Sequence, residues 1–219
     1  RIDGKIYGLP YNSNCLALYY DEDQLNEAGV EVPTTWEELK SAAQKLTKDN
    51  CYGFAMSMIN NDEGTFQYFP FLYSSGANMY EMGSEEAISS MQFLKDMMDE
   101  GSMSTETINW SQADVSQQFM QGNAAMMING PWQIPTLNTN VPEKNWNVAL
   151  IPIDQQNASA LGGEGFSIVK GADIETVWPV MEFMMSKDTL ADWNHTVGKI
   201  PSRKDSLENY EDWANDPIM

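Results

Sequence analysis

"AAMMINGPWQIP", residues 124–135, is an apolar run that stops at a glycine–proline step and then presents a tryptophan. A short apolar run bounded by turn residues reads as a buried strand. Gly130 permits a tight turn, and Pro131 fixes φ and limits the directions Trp132 can take. Upstream, "ADVSQQFMQG" (113–122) reads as a helix, with Asp114 and Gln117 as a capping box and Gly122 at its end. Downstream, "NVALIPI" (147–153) reads as a strand, and "LGGEGFSIV" (161–169) as another entered through glycines.

The same alternation continues outward. "KIYGLPYNSNCLALYY" (5–20) reads as strand, turn, strand, and residues 21–29 as a short helix closed by Gly29. In "VPTTWEELKSAAQKLTKDN" (32–50), Thr35 and Glu38 form a capping box, and Trp36, Leu39, Ala43 and Leu46 share one face. "CYGFAMSMI" (51–59) reads as a buried strand, and residues 60–80 as a loop leading into an aromatic segment. A second amphipathic helix follows at 84–101, capped by Ser84 and ended by Gly101, with a stripe of Ala87, Met91, Leu94 and Met98. "TVWPVMEFMMS" (176–186) is helical only if Pro179 lies in the first turn. "TLADWNHTVG" (189–198) is a further helix that places His195 on the surface. This order predicts an α/β fold with a largely parallel sheet, in which ligands sit beyond the carboxyl ends of the strands.

The 219 residues suffice for one large domain or two small ones. Asp plus Glu number 32 against 12 Lys plus Arg, a net charge of −20 spread along the chain. Such a surface repels phosphate backbones and anionic lipid, which argues against nucleic-acid and membrane-surface roles. No apolar run approaches the roughly 20 residues that span a bilayer, and no signal-peptide or lipid-anchor motif is visible. Cys15 and Cys51 form either one disulfide or two buried thiols; the lack of a CxxC or Cys/His cluster favours thiols. With His195 the sole histidine, a metal site is not expected, and no cofactor motif is present. The opening "RIDGKIYGLP" and the ending "NDPIM" read as the middle of a longer protein.

The loops that follow strands carry the candidate site. Trp132 offers a flat apolar face that suits the C–H face of a pyranose, or else it plugs the core at a helix N-terminus. Glu63, followed by Phe66 and Tyr68, supplies a carboxylate that can accept from hydroxyls, or else it lies in a solvated acidic loop beside core aromatics. Tyr11, Asn12 and Asn14 stand at a strand break. Asparagine offers donor and acceptor together, and it is also a common turn former. Glu164 is presented between glycines that allow close backbone approach, though "LGGEGF" is not a nucleotide motif. Trp110, ahead of a helix, either flanks the same site or packs in the core. Glu63 and Glu164 could also serve as a glycosidase pair.

With these residues assembled, the chain resembles the family 1 extracellular solute-binding proteins, the maltose-binding-protein-like receptors of ABC sugar importers. The likeness rests on ordered blocks: "DGKIYGLPYNSNCLALYYDEDQLNEAG", "PTTWEELKSAAQKLT", "FMQGNAAMMINGPW", "VALIPI" leading to "LGGEGFSIV", and a weaker "GKIPSRKDSL". The resemblance implies a type II periplasmic-binding-protein fold, two α/β lobes joined by crossover strands and closing on a sugar, here mostly the second lobe. On this mapping residues 1–13 belong to the first lobe and crossover, 14–161 to the second lobe, 162–202 to a returning first-lobe segment, and 203–219 to a truncated return to the second lobe. The family's stacking tryptophan matches Trp132, its aromatic loop position Phe66 with Tyr68 nearby, and its polar crossover contact Asn14. Malto-oligosaccharide binders often carry an acid at that crossover, where this chain has asparagine. A further second-lobe aromatic used by those receptors would lie beyond Met219. The implied function is a non-catalytic, monomeric, extracytoplasmic receptor, lipid-anchored in its full-length form. It would pass an oligosaccharide to an ABC permease. The rival readings are a carbohydrate-active enzyme using Glu63 and Glu164, and a receptor for a non-sugar such as a polyamine or peptide.

Overall fold

The computed structural model describes residues 2–210. The chain opens with β1 (Leu9–Pro10), β2 (Asn12–Cys15) and β3 (Ala17–Asp21). Helices α1 (Glu22–Ala28), α2 (Trp36–Leu46), α3 (Asp62–Ser74), α4 (Glu85–Asp99) and α5 (Gln112–Met120) follow. Then come β4 (Met126–Asn129), α6 (Ile134–Asn140), β5 (Trp146–Ala149), β6 (Leu161–Gly162) and β7 (Gly165–Phe166). The described part closes with α7 (Ile174–Met184), α8 (Lys187–Val197), β8 (Ile200–Pro201) and α9 (Lys204–Leu207).

These elements form two compact units. The larger comprises Leu16–Gly130 and Leu137–Ala160. The smaller gathers the segment ending at Cys15, Pro131–Thr136, and the chain from Leu161 onward. Residues 131–136 and α9 thus group with the smaller unit, and 211–219 lie outside the described residues.

In the larger unit β3 is the central strand, with β4 on one side and β5 on the other. Both pairings are antiparallel, with Leu18 opposite Ile128 and Ala149. The expectation of a largely parallel sheet is therefore corrected. Parallel pairing does occur at single bridges, Tyr52 with Ala124, Phe54 with Met103 and Ala55 with Met127, so the stretch expected as a buried strand does run beside β4. Alternation of strands and helices does not set direction here, because all of α1–α5 intervenes between β3 and β4 and the chain can return either way. The core is Leu18, Leu39, Phe54, Phe71, Leu94, Phe119 and all of β4's apolar residues.

The caps explain where the helices begin and end. Asp21 accepts from the Gln24 N–H at 3.0 Å to start α1, and Gly29 ends it in the left-handed region. Thr35 and Glu38 form the reciprocal box of α2. Three expectations are corrected. The 60–80 stretch is helical from Asp62, because the Asn61 side chain accepts from the Glu63 and Gly64 N–H groups. The box of α5 pairs Ser111 with Asp114, not Asp114 with Gln117. The buried face of α4 is Ala87, Ser90, Leu94 and Met97, while Met91 is exposed. Pro179 sits in the second turn of α7, where its missing N–H removes a bond to Glu175, yet the helix continues to Met184.

In the smaller unit β2 pairs antiparallel with β6 and β8, and β1 with β7. Cys15 and Cys51 are free thiols; Cys15 is exposed, against the expectation of burial. His195 is half-buried and its ring stacks on Tyr210 at 4.0 Å, so it is not a plain surface residue.

Candidate functional site

In the larger unit a buried polar network ties five segments together at the carboxyl end of β4. Ser57, Gln67 and Asn129 are each fully buried. Gln67 accepts from the Ser57 N–H at 2.6 Å and donates to the Ile128 carbonyl at 3.0 Å. The Ser57 hydroxyl donates to the Trp110 carbonyl at 2.7 Å. Asn129 donates to the Gln112 carbonyl at 2.9 Å and accepts from the Gly130 N–H at 3.1 Å. The Tyr19 hydroxyl donates to the Gly130 carbonyl at 2.7 Å. Every polar group in this set has a partner, which is what allows it to be buried.

Glu63 lies in the first turn of α3, and its carboxylate accepts from the Gln112 N–H at 2.7 Å, at the start of α5. A carboxylate there satisfies an orphan helix donor and sits favourably against the helix dipole. Glu63, Phe66 and Trp110 are half-buried. Tyr68 departs from the expected placement. It is buried, its hydroxyl 2.7 Å from Ser90, because it points from α3 toward α4 as a core residue.

Trp132 occupies a short 3₁₀ turn, Pro131–Gln133, directly after β4's glycine, and it is half-buried rather than sealed in the core. Within the smaller unit this turn is packed by Gly198, the left-handed C-cap of α8. A Cβ at Gly198 would fall 2.6 Å from the Pro131 carbonyl oxygen and 2.7 Å from Pro135, so no other residue fits without displacing the turn.

The same unit holds the asparagines of β2. Asn12 and Asn14 are buried. The Asn12 side-chain oxygen accepts from the Glu164 N–H at 2.9 Å, and the Tyr11 N–H donates to the Glu164 carbonyl at 3.0 Å. Gly163 is required beside them, since a Cβ would lie 2.5 Å from the Asn12 carbonyl oxygen and its φ is +153°. The Asn12 amide nitrogen and the Asn14 side-chain oxygen have no hydrogen-bond partner. The Tyr11 ring stacks on Phe166 at 4.5 Å and meets Trp193 edge-on at 6.3 Å. Glu164 is exposed and pairs with Lys199 at 2.6 Å. Glu63 and Glu164 thus belong to different units, and each carboxylate already has a partner. Among the described residues no cluster of His, Cys, Asp and Glu could hold a metal, and no helix is long and apolar enough to cross a membrane.

Sequence reasoning missed Ser57, Gln67 and Gln112. A signal was present in "TFQYFPF", where a glutamine stands inside an aromatic run that must bury it. A polar residue in such a run needs a partner.

A family model of bacterial extracellular solute-binding proteins matches residues 1–219. The chain belongs to that family. A binding protein of Brucella abortus is 27% identical over 219 residues, covering 94% of this chain and 53% of the relative. A solute-binding protein of Thermotoga lettingae, solved with α-D-tagatose, is 30% identical with a TM-score of 0.87, covering 97% of this chain and 58% of that one. The GacH receptor of Streptomyces glaucescens, solved unliganded and with acarbose, is 25% identical with a TM-score of 0.86, covering 99% and 57%. This solute-binding chain therefore has the α/β, type II periplasmic-binding-protein fold, and it spans about half the length of the relatives it matches.

Proposed function

We propose that this chain is the sugar-recognising part of a monomeric, non-catalytic, extracytoplasmic receptor that delivers an oligosaccharide to an ABC-transporter permease. The observation that carries the reading is Trp132, an indole left partly open on a turn that Gly198 packs within the smaller unit. Removing the C–H face of a sugar ring and the indole from water contributes roughly 25 cal/mol per Å². The hydroxyl rim stays free for polar partners. The larger unit corresponds to the second lobe and the smaller to the first.

The remaining roles follow from chemistry. In the larger unit Phe66 and Trp110 offer apolar surface, and Glu63 both fixes the start of α5 and offers its second oxygen to hydroxyls. In the smaller unit Asn14, Asn12, Tyr11 and Glu164 offer polar groups to hydroxyls. Tyr68 acts only from the core. The tagatose- and acarbose-bound relatives support a carbohydrate over a polyamine or peptide. A glycan-array screen of the full-length protein, followed by calorimetric titration of each hit, tests this. Saturable sugar binding with the oligosaccharide recovered intact is expected. Shortened products with sustained turnover would replace the receptor by an enzyme.

A further inference from the structure

Away from the residues discussed above, the larger unit carries a groove of about 560 Å³ lined by α2, α4 and Asp154. One wall is aromatic: Trp36 stacks on Phe93 at 4.6 Å, with Ile88 exposed beside them. The indole N–H of Trp36, a groove-lining residue only 5% exposed, has no acceptor, a need that a backbone carbonyl of a docked peptide segment, not its guanidinium, can meet. The rim is acidic. Glu37, Glu85 and Asp154 line it, and none has a side-chain partner among the described residues. Lys40 is the one basic lining residue, and it is already held by Glu100 at 2.7 Å with Asp96 at 3.9 Å. Burial, and then the negative charge of Glu37, push the Asp154 carboxyl above its ordinary range. Like charges thus face one another over an apolar floor.

We infer that this groove docks an arginine-bearing segment of a protein partner. A guanidinium is the group that answers both features. It is planar, weakly hydrated and lies well on aromatic faces, and its five donors reach several carboxylates at once. The volume accommodates one or two such side chains. An anionic occupant would meet an acidic rim on a chain of net charge −20. None of the lining residues belongs to the proposed sugar site, so the inference goes beyond that function and stands apart from it.

The test is a fluorescence-anisotropy titration of the full-length protein with a labelled Ala-Arg-Ala-Arg-Ala peptide. Saturable binding is expected, weakened at least tenfold by the double variant Glu37→Gln/Asp154→Asn. The control Glu27→Gln/Glu143→Gln removes two exposed charges elsewhere and should change binding less than twofold. The same peptide with citrulline in place of arginine should not bind. Equal losses in both double variants would mean a general field rather than a site, and would overturn the proposal. So would undetectable peptide binding, or free arginine amide binding as tightly as the peptide. Sugar titration of the groove variant is expected to match wild type, which separates a failure here from a failure of the receptor reading.

Discussion

The carboxyl end of β4 and strand β2 treat buried polar groups differently. At the end of β4, Ser57, Gln67 and Asn129 are fully buried and every side-chain bond is made within the larger unit. Along β2 of the smaller unit, Asn12 and Asn14 are also buried, yet each keeps one atom without a partner, as do Asn194 on α8 and, in the larger unit, Trp36 and Ser116. Apolar surface differs between the core of the larger unit and α7. The larger unit closes around Leu18, Phe54, Phe71 and Phe119, whereas α7 leaves Ile174, Trp178, Val180 and Phe183 exposed. A helix apolar on most of its circumference is normally buried on more than one side. The end of β4 is fully satisfied, whereas β2 and α7 hold polar and apolar groups in reserve.

The contrast can be broken most severely at Asp21. This carboxylate caps α1 and pairs with Lys144, whose ammonium also lies 4.9 Å over the Phe119 ring. Burial pushes the Asp21 carboxyl up, but hydrogen bonds from Lys144 and Gln24 and the lysine's charge outweigh it and leave it below the ordinary carboxylate range. Asp21→Asn strands a buried cation and is expected to lose about 3 kcal/mol at pH 7 in urea unfolding. A depressed folded pKa gives stability that is present above the unfolded value and lost as pH falls through the folded one. The gap between wild type and variant should therefore close on acidification below about pH 4. A pH-independent gap would show that the charge is not the cause.

Gly198→Ala comes next, at about 2 kcal/mol, since it combines a left-handed φ of +65° with a Cβ 2.6 Å from the Pro131 carbonyl. Sugar affinity should fall with it, because the displaced turn is the one that carries Trp132. Asn129→Ala should lose about 1–2 kcal/mol by removing its bond to the Gln112 carbonyl and the side-chain acceptor of the Gly130 N–H. The matching change on the other unit, Asn14→Leu, removes an acceptor that has no partner and should alter stability by less than about 1 kcal/mol. Its effect is expected in sugar titration instead. If Asn14→Leu proved as destabilising as Asn129→Ala, the contrast between the two asparagine sites would disappear.

Much of this was legible in the sequence, for local reasons. The box of Thr35 and Glu38, the glycine stops at Gly29 and Gly198, and the run into Gly130 depend on neighbouring residues alone. Helix α3 was not legible, because Gly64 and Pro70 mark a loop in any local reading. Gly64 is in fact required by packing, since a Cβ would meet the Ile59 carbonyl at 2.1 Å, and Asn61 supplies the cap. Strand direction was misread because it depends on a return path through five helices. For the site, Trp132 and Glu63 stood out as residue types after strands. Their supports did not, because Gln67 in the larger unit and Gly198 in the smaller lie far away in the chain from the segments they hold, the end of β4 and the turn of Trp132, and reach them only on folding.

The most direct measurement is calorimetric titration of full-length Trp132→Ala against wild type, using the tightest sugar found in the array, with melting curves recorded alongside. Affinity is expected to fall at least 100-fold, about 2.7 kcal/mol, with the melting temperature within about 2 °C. Wild-type affinity in the variant would contradict the receptor reading at its centre.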